Sequence, residues 1–199
     1  VFFVISGYLI TTILYEQRLS HNFSIVKFYD RRIRRILPPL IITGLITAAI
    51  AISFTPSDIK NVGQSLVATY TFLSNYFFYL ETDYFNPFNA ASPLLHTWSL
   101  AVEEQYYLFA PFLIYAIANL RLFKYFIVTG FLLASFYAAV TLTNTNPNLS
   151  FYSIHTRAWE LLLGTLIAFL CKDNSQLKPN KYLSELLSVL SLLLLALSF

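Results

Sequence analysis

The strongest constraint on this chain is a set of long uncharged apolar stretches. Residues 36–54 and 125–143 contain no charged side chain, and each approaches the roughly 20 apolar residues that a helix needs to cross a bilayer. Other candidate helices are residues 1–15, 94–120, 149–170 and 182–199, of which the two central stretches also carry acidic residues or an arginine. The sequence therefore predicts an all-α integral membrane bundle of about six transmembrane helices.

Composition excludes other classes of protein. Of the 199 residues, 57% are hydrophobic and 12% are charged. The charged share is about half that of an average soluble domain. Disorder, a coiled coil and a disulfide-stapled domain are also excluded, because apolar residues are abundant, heptads are absent and Cys171 stands alone. The chain has no methionine and begins inside an apolar run, so we expect a part of a longer protein that is truncated at both ends.

Basic residues predict the orientation of the helices. Six of the thirteen Lys and Arg residues lie between the first two predicted helices, namely Arg18, Lys27, Arg31, Arg32, Arg34 and Arg35. The positive-inside rule places this basic loop, residues 15–35, in the cytoplasm. By the same rule Arg121, Lys124 and Lys172 mark the cytoplasmic side, and the uncharged residues 144–148 lie outside.

Residues 62–80 are ambiguous, because polar side chains interrupt the stretch and aromatic residues crowd its end. If this segment crossed the membrane, Arg121 and Lys124 would lie outside, against the positive-inside rule. We therefore predict a re-entrant or interfacial segment here, with its aromatic residues at the level of the lipid headgroups.

The densest cluster of charge lies at residues 30–35. In a helix, the pairs 31/34 and 32/35 are each three positions apart, so two guanidinium groups can grip one polyanion at the membrane face. Arginine suits phosphate because its planar fork binds two oxygens at once. The alternative, which composition alone favours, is that the arginines anchor the helix and bind membrane lipid headgroups.

A second polar cluster follows Pro93. His96, Ser99 and Glu103 are spaced by three and four, which places them on one face if the helix begins by Pro93. A histidine, a hydroxyl and a carboxylate beside lipid can move a proton or bind a hydroxyl group. In the alternative, His96 lies at an aqueous interface, Ser99 or Thr97 caps the helix, and one of the two glutamates supports its first turn. Capping does not explain two adjacent carboxylates, Glu103 and Glu104, at the start of an apolar helix.

A third polar pair, Arg157 and Glu160, is three positions apart in an apolar stretch. It can form an intramembrane ion pair beside a polar cavity, with either an architectural or a catalytic role. For His21 and His155, a solvated side chain is the simpler interpretation. The sequence has no Gly-rich phosphate loop, no metal-spaced His or Cys cluster and no nucleophile elbow. We predict no metal site, no bound cofactor and no nucleic-acid partner.

Four blocks of sequence resemble the acyltransferase-3 membrane proteins, which O-acylate cell-envelope sugars such as lipopolysaccharide O-antigen and peptidoglycan. In the family's order they are residues 2–9 (FFVISGYL), residues 28–38 with Arg32-x-x-Arg35, residues 96–107 (HTWSLAVEEQYY) and residues 156–164 (TRAWELLLG). Four blocks in order are far more specific than any one of them. The blocks are most similar to members with an extracytoplasmic SGNH hydrolase-like domain, so such a domain is expected in the full-length chain.

The resemblance implies an O-acyltransferase of the bacterial inner membrane. It would move an acyl group from a cytoplasmic donor, usually acetyl-CoA, to a hydroxyl of an envelope glycan. Arg32 and Arg35 match the family's functional arginine pair and are implied to bind the donor, while Arg31 and Arg34 only anchor the helix. By motif position Glu103 is the implied catalytic carboxylate, with His96 as a second candidate. The residues implied to line polar cavities or to be structural are Ser6, Trp98, Ser99, Arg157 and Glu160.

The family's candidate catalytic histidine lies on its first transmembrane helix, which would precede Val1. We therefore expect residues 1–199 to be a partial transmembrane domain that lacks the first and the C-terminal helices and is inactive alone. In the intact enzyme that histidine would activate a sugar hydroxyl or take the acyl group itself. The rival hypothesis is a transporter or flippase of a lipid-linked sugar or acyl group. It is weakened because the chain has five glycines and no visible repeat.

Overall fold

Within residues 1–54, 59–81 and 92–173, which a computed structural model describes, every regular element is a helix. In chain order the helices are α1 (Phe2–Leu19), α2 (Ile25–Phe54), α3 (Ile59–Tyr70), α4 (Ser74–Glu81), α5 (Thr97–Ile117), α6 (Phe123–Thr145), α7 (Pro147–Tyr152) and α8 (Ile154–Asp173). The prediction of an all-α fold is confirmed. The predicted helix at 182–199 lies outside the described residues.

Three described segments are long and apolar enough to cross a membrane by length and composition: Ile25–Ser53, Phe123–Thr145 and Pro147–Asp173. They contain the predicted stretches 125–143 and 149–170 and all but the last residue of 36–54. Helices α2 and α6 expose large apolar side chains along their length, among them Ile42, Leu45, Phe126, Phe131 and Leu133. Such surfaces are rare on soluble proteins, and they fit contact with lipid. The total of about six spans stays a prediction.

Helices α1 and α8 cross at a pair of glycines. A Cβ on Gly7 would meet the carbonyl oxygen of Leu161, and a Cβ on Gly164 would meet that of Val4. Small residues let membrane helices approach closely, because their backbones can then touch. Beside the crossing, the hydroxyls of Thr11 and Thr165 are 2.9 Å apart. These contacts bring the first and the last sequence blocks together.

We expect Gly164→Leu to destabilise the protein by about 3 kcal/mol, because the new side chain meets backbone that cannot move aside. Gly130→Leu on α6 is the matched control, since a Cβ there has no neighbour within 4 Å. Thermal unfolding of the detergent-solubilised full-length protein compares the two variants. Equal melting temperatures would show that α1 and α8 do not depend on this close approach.

Helices α3 and α4 form a hairpin whose turn is held by α5. Phe72 adopts a left-handed conformation with φ 55°. Gln105 donates hydrogen bonds from Nε2 to the carbonyl oxygen of Phe72 (2.8 Å) and to Oδ1 of Asn75 (2.9 Å). In a bilayer, irregular backbone is tolerated only where its polar groups are satisfied in this way. Since α3 has 12 residues and α4 has 8, neither spans alone, which agrees with the predicted re-entrant segment.

Residues 15–35 are mostly helical, which corrects the prediction of a basic loop. Helix α1 continues to Leu19 and α2 begins at Ile25, so five residues, 20–24, connect them. The four arginines between 31 and 35 therefore lie on α2. Exposed Arg34 pairs with Asp30 on the same helix at 2.9 Å.

Ion pairs join α1, α6 and α8 at one end of the bundle. Lys124 is 3% exposed, forms an ion pair with Asp173 and donates to the Tyr15 hydroxyl at 2.9 Å. The hydroxyls of Tyr15 and Tyr125 donate to the Asp173 carboxylate at 2.7 and 2.6 Å. Lys124 was predicted to mark the cytoplasmic side of the membrane, and this orientation stays a prediction. The structure adds that the side chain is buried against a carboxylate on another helix.

Candidate functional site

Arg32 on α2 faces the middle of α5. Its guanidinium lies 4.3 Å from the centroid of the Tyr107 ring. Tyr107 is ten residues from each end of α5 (Thr97–Ile117), so it lies about 15 Å from either end. The Tyr29 hydroxyl donates to the carbonyl oxygen of Leu108 at 2.8 Å and fixes α2 at this level. The arginine was predicted at the membrane face, whereas the structure places it at mid-helix.

Glu103 is the most enclosed carboxylate of the site, with 6% exposure. The hydroxyls of Ser6 and Tyr107 hydrogen-bond to it, and Arg32 and Arg35 attract it electrostatically. Ser6 and Tyr107 also share a hydrogen bond. A buried carboxylate requires this kind of pairing, because an isolated charge is costly to desolvate. One carboxylate thus joins three of the four sequence blocks.

Glu104 lines a cavity of about 500 Å³ between α2, the α3–α4 turn and α5, which we call the first cavity. Arg32, Gln105 and Tyr107 line it too, and most other lining residues are apolar. Oε1 of Glu104 is buried without a hydrogen-bond partner, and Arg32 is its nearby positive charge. The sequence singled out both carboxylates, and motif position favoured Glu103. The structure places Glu104 on the cavity wall, because neighbouring residues of a helix point about 100° apart.

Arg35 lines a different cavity, of about 430 Å³, which we call the second cavity. Its polar lining includes His96, Tyr70 and Thr97, and Ile36 lines both cavities. The sequence predicted that Arg32 and Arg35 grip one polyanion. The structure instead gives each arginine its own cavity.

Helix α5 begins at Thr97. The predicted common face of His96, Ser99 and Glu103 required a helix that begins four residues earlier, at Pro93. Residues 92–96 form turns, in which the hydroxyl of Thr97 donates to the carbonyl oxygen of Leu94 at 2.7 Å. Ser99 donates to the carbonyl oxygen of His96 at 3.1 Å, and no side chain caps the helix, so the capping alternative is wrong. His96 is exposed and lines the second cavity, while Glu103 bonds Ser6 and Tyr107. His96, Ser99 and Glu103 thus have separate partners.

The predicted ion pair of Arg157 and Glu160 is confirmed, with Nη1 and Oε1 2.9 Å apart. Nε of Arg157 donates to the carbonyl oxygen of Phe151 at 3.2 Å, and its guanidinium lies 6.0 Å from the Trp98 ring centroid. Trp98 packs on Phe151 with centroids 4.6 Å apart. The pair thus ties α8 to α7 and α5, which agrees with an architectural role. Arg157 also lines a cavity of about 580 Å³ that is separate from the first and the second, as its predicted cavity-lining role requires.

Apolar helices with arginines and carboxylates beside two cavities are typical of a polytopic membrane protein. In the described ranges, no three His, Cys, Asp or Glu side chains are placed to hold a metal ion. The whole chain, residues 1–199, matches the family model described as "Acyltransferase domain". The chain therefore belongs to the acyltransferase-3 family, which confirms the resemblance and the prediction of an O-acyltransferase.

Relatives agree with this assignment. An uncharacterized protein of Haemophilus influenzae is 35% identical over 208 residues, which cover 98% of this chain and 83% of the relative. The peptidoglycan O-acetyltransferase OatA of Listeria monocytogenes is 34% identical over 190 residues (91% of this chain, 30% of the relative). OatA of Staphylococcus aureus is 34% identical over 175 residues (85% and 29%). The chain thus spans less than a third of the OatA proteins. No solved structure matches it.

Proposed function

We propose that this chain forms the membrane part of an enzyme that transfers an acetyl group from acetyl-CoA to a hydroxyl of a cell-envelope polysaccharide. The observation that carries the proposal is the first cavity, where Arg32 and Glu104 face an interior space in a chain of this family. The names of the OatA relatives support an acetyl group and an envelope glycan. The proposed location is the bacterial inner membrane, with the Lys124–Asp173 end of the bundle in the cytoplasm. We also propose that the full-length chain contains an SGNH-type domain.

In this proposal the first cavity binds the acyl donor. Its volume of about 500 Å³ lies within the range of about 300–1,000 Å³ that is usual for small-molecule sites. Arg32 supplies the positive charge and the planar fork that bind phosphate oxygens. Stacking on Tyr107 and attraction to Glu103 orient the guanidinium. The apolar wall, which includes Ile33 and Leu108, fits the uncharged arm that carries the acyl group.

Glu104 is the proposed proton carrier. The sugar oxygen forms a bond to the acyl carbon, the carbon–sulfur bond breaks, and the hydroxyl proton passes to the Glu104 carboxylate. The same proton then neutralises the departing thiolate of coenzyme A. The buried, unpaired Oε1 atom is free for this role. Glu103, which sequence analysis favoured as catalytic, is proposed as a positioning residue, since its hydrogen bonds and charges are already matched within the protein.

Mass spectrometry of envelope polysaccharides tests this function in a strain that lacks the gene and in the complemented strain. Loss of one acetyl mass from a single envelope polymer, restored on complementation, is the expected result. Accumulation of an unexported, normally acetylated precursor would instead support the transporter hypothesis. Identical acetylation in all strains would overturn the proposed function.

A further inference from the structure

We propose that the second cavity is a separate subsite for the acceptor sugar, in which Arg35, His96 and Tyr70 bind its hydroxyl groups. The two arginines of the Arg32-x-x-Arg35 motif then serve different ligands, Arg32 the donor and Arg35 the acceptor. This inference rests on the proposed acyl transfer. It assigns the class of ligand of the second cavity as a neutral or acidic sugar of the envelope.

The two cavities lie end to end along α2. On α2, the first cavity is lined between residues 29 and 37, and the second between residues 35 and 44. On α5, the first is lined between residues 104 and 108, and the second at residue 100 and before it. Because Ile36 lines both, the two cavities are neighbours. In the proposed reaction, the acyl group and the sugar hydroxyl meet at this shared wall.

The second cavity has unused hydrogen-bonding groups. In the described part of the chain, the guanidinium of Arg35, the ring of His96 and the hydroxyl of Tyr70 line it without a hydrogen bond to another residue. The Tyr70 hydroxyl lies so close to Gly44 that a Cβ at Gly44 would collide with it. These three groups offer donors and acceptors in the mixture that sugar hydroxyls require.

Charge distinguishes the ligands of the two cavities. The described lining of the second cavity has one arginine and no carboxylate, while that of the first has both Arg32 and Glu104. A site with a cation and neutral hydrogen-bonding groups accepts neutral or negatively charged ligands. On its wall the hydroxyls of Thr69 and Thr97 are 3.1 Å apart, which adds a polar surface beside apolar Leu100. Alternating polar and apolar surface matches the two faces of a sugar ring.

The second cavity lies toward the end of the bundle at which α5 begins. His96 precedes the first residue of α5, next to Trp98, which packs against Tyr152 of α7. Helix α5 ends at Ile117, at the opposite end of the bundle, which holds the buried ion pair of Lys124 and Asp173. Donor and acceptor therefore approach from different ends.

Steady-state kinetics of the purified full-length protein test the subsite. The donor is acetyl-CoA, and the acceptor is the unacetylated envelope polysaccharide from the deletion strain. Arg35→Ala and His96→Ala are each expected to raise KM for the polysaccharide by about tenfold. Tyr70→Phe should raise it by only about threefold, because this substitution removes one neutral hydrogen bond. KM for acetyl-CoA should stay within about twofold in all three. Arg31→Ala and His155→Ala, both exposed and outside the second cavity, are the matched controls.

Binding of the same polysaccharide without acetyl-CoA, followed by a fluorescent label on the glycan, separates this inference from the proposed function. If the wild type binds the glycan and the three variants bind it less tightly, the subsite stands even where no transfer is observed. If Arg35→Ala raises KM for acetyl-CoA while glycan affinity is unchanged, both arginines bind the donor and the inference is overturned. Unchanged glycan affinity in the His96 and Tyr70 variants overturns it as well.

Discussion

Arg32→Ala is expected to lower O-acetylation of the envelope glycan by about 100-fold or more while the protein stays folded. The guanidinium is the positive charge that faces the first cavity together with Glu104, so its removal takes away the charge-assisted hydrogen bonds that hold an anionic donor. Loss of a preorganised donor of this kind typically costs about 100- to 1,000-fold in rate. The measurement is the acetyl content of the glycan in the deletion strain complemented at equal membrane levels of each variant.

Arg32→Lys separates charge from shape. The lysine keeps a positive charge near Glu103 and therefore keeps that buried carboxylate paired, but it lacks the planar fork and stacks less well on Tyr107. We expect a loss of about tenfold, between those of the wild type and Arg32→Ala. Arg31→Ala is the control, because Arg31 is exposed on the same helix and lines neither cavity. A normal acetyl content in Arg32→Ala would exclude Arg32 from donor binding.

The features that sequence predicted correctly depend on local pattern. Apolar length predicted the candidate spans, and spacing of three predicted the ion pair of Arg157 and Glu160, which requires only one turn of helix. The re-entrant interpretation of residues 62–80, which followed from charge on either side of the segment, stays a prediction. In each case the information lies within a short stretch of chain or in the balance of its charges.

The features that sequence did not predict depend on the register between distant helices. The depth of Arg32 is set by where α2 meets α5, through contacts such as Tyr29 with the carbonyl of Leu108. The same register places Arg32 and Arg35 in two cavities, because the two residues are about one turn of α2 apart and the cavities adjoin along this helix. Burial of Lys124 requires Asp173, which is 49 positions away in the sequence. No local pattern encodes these relations.

Asp173→Ala is expected to destabilise the protein by about 3 kcal/mol, because it leaves the buried ammonium of Lys124 without its carboxylate. This value is at the lower end of the usual range of about 3–5 kcal/mol, since the Asp173 side chain is partly exposed and the Tyr15 hydroxyl still accepts from Lys124. The measurement is the free energy of unfolding of the full-length protein in mixed micelles, titrated with a denaturing detergent.

The ion pair of Lys172 and Glu16 supplies the control, because it joins α8 to α1 at the same end of the bundle but in contact with solvent. Lys172→Ala should cost no more than about 1 kcal/mol, as exposed pairs usually do. The double variant Lys124→Met with Asp173→Ala should be more stable than Asp173→Ala alone, since it removes the unpaired charge together with its partner. If Asp173→Ala and Lys172→Ala cost the same, Lys124 is hydrated in the native protein, and α1 and α8 are joined by packing of Tyr15 and Phe169 rather than by charge.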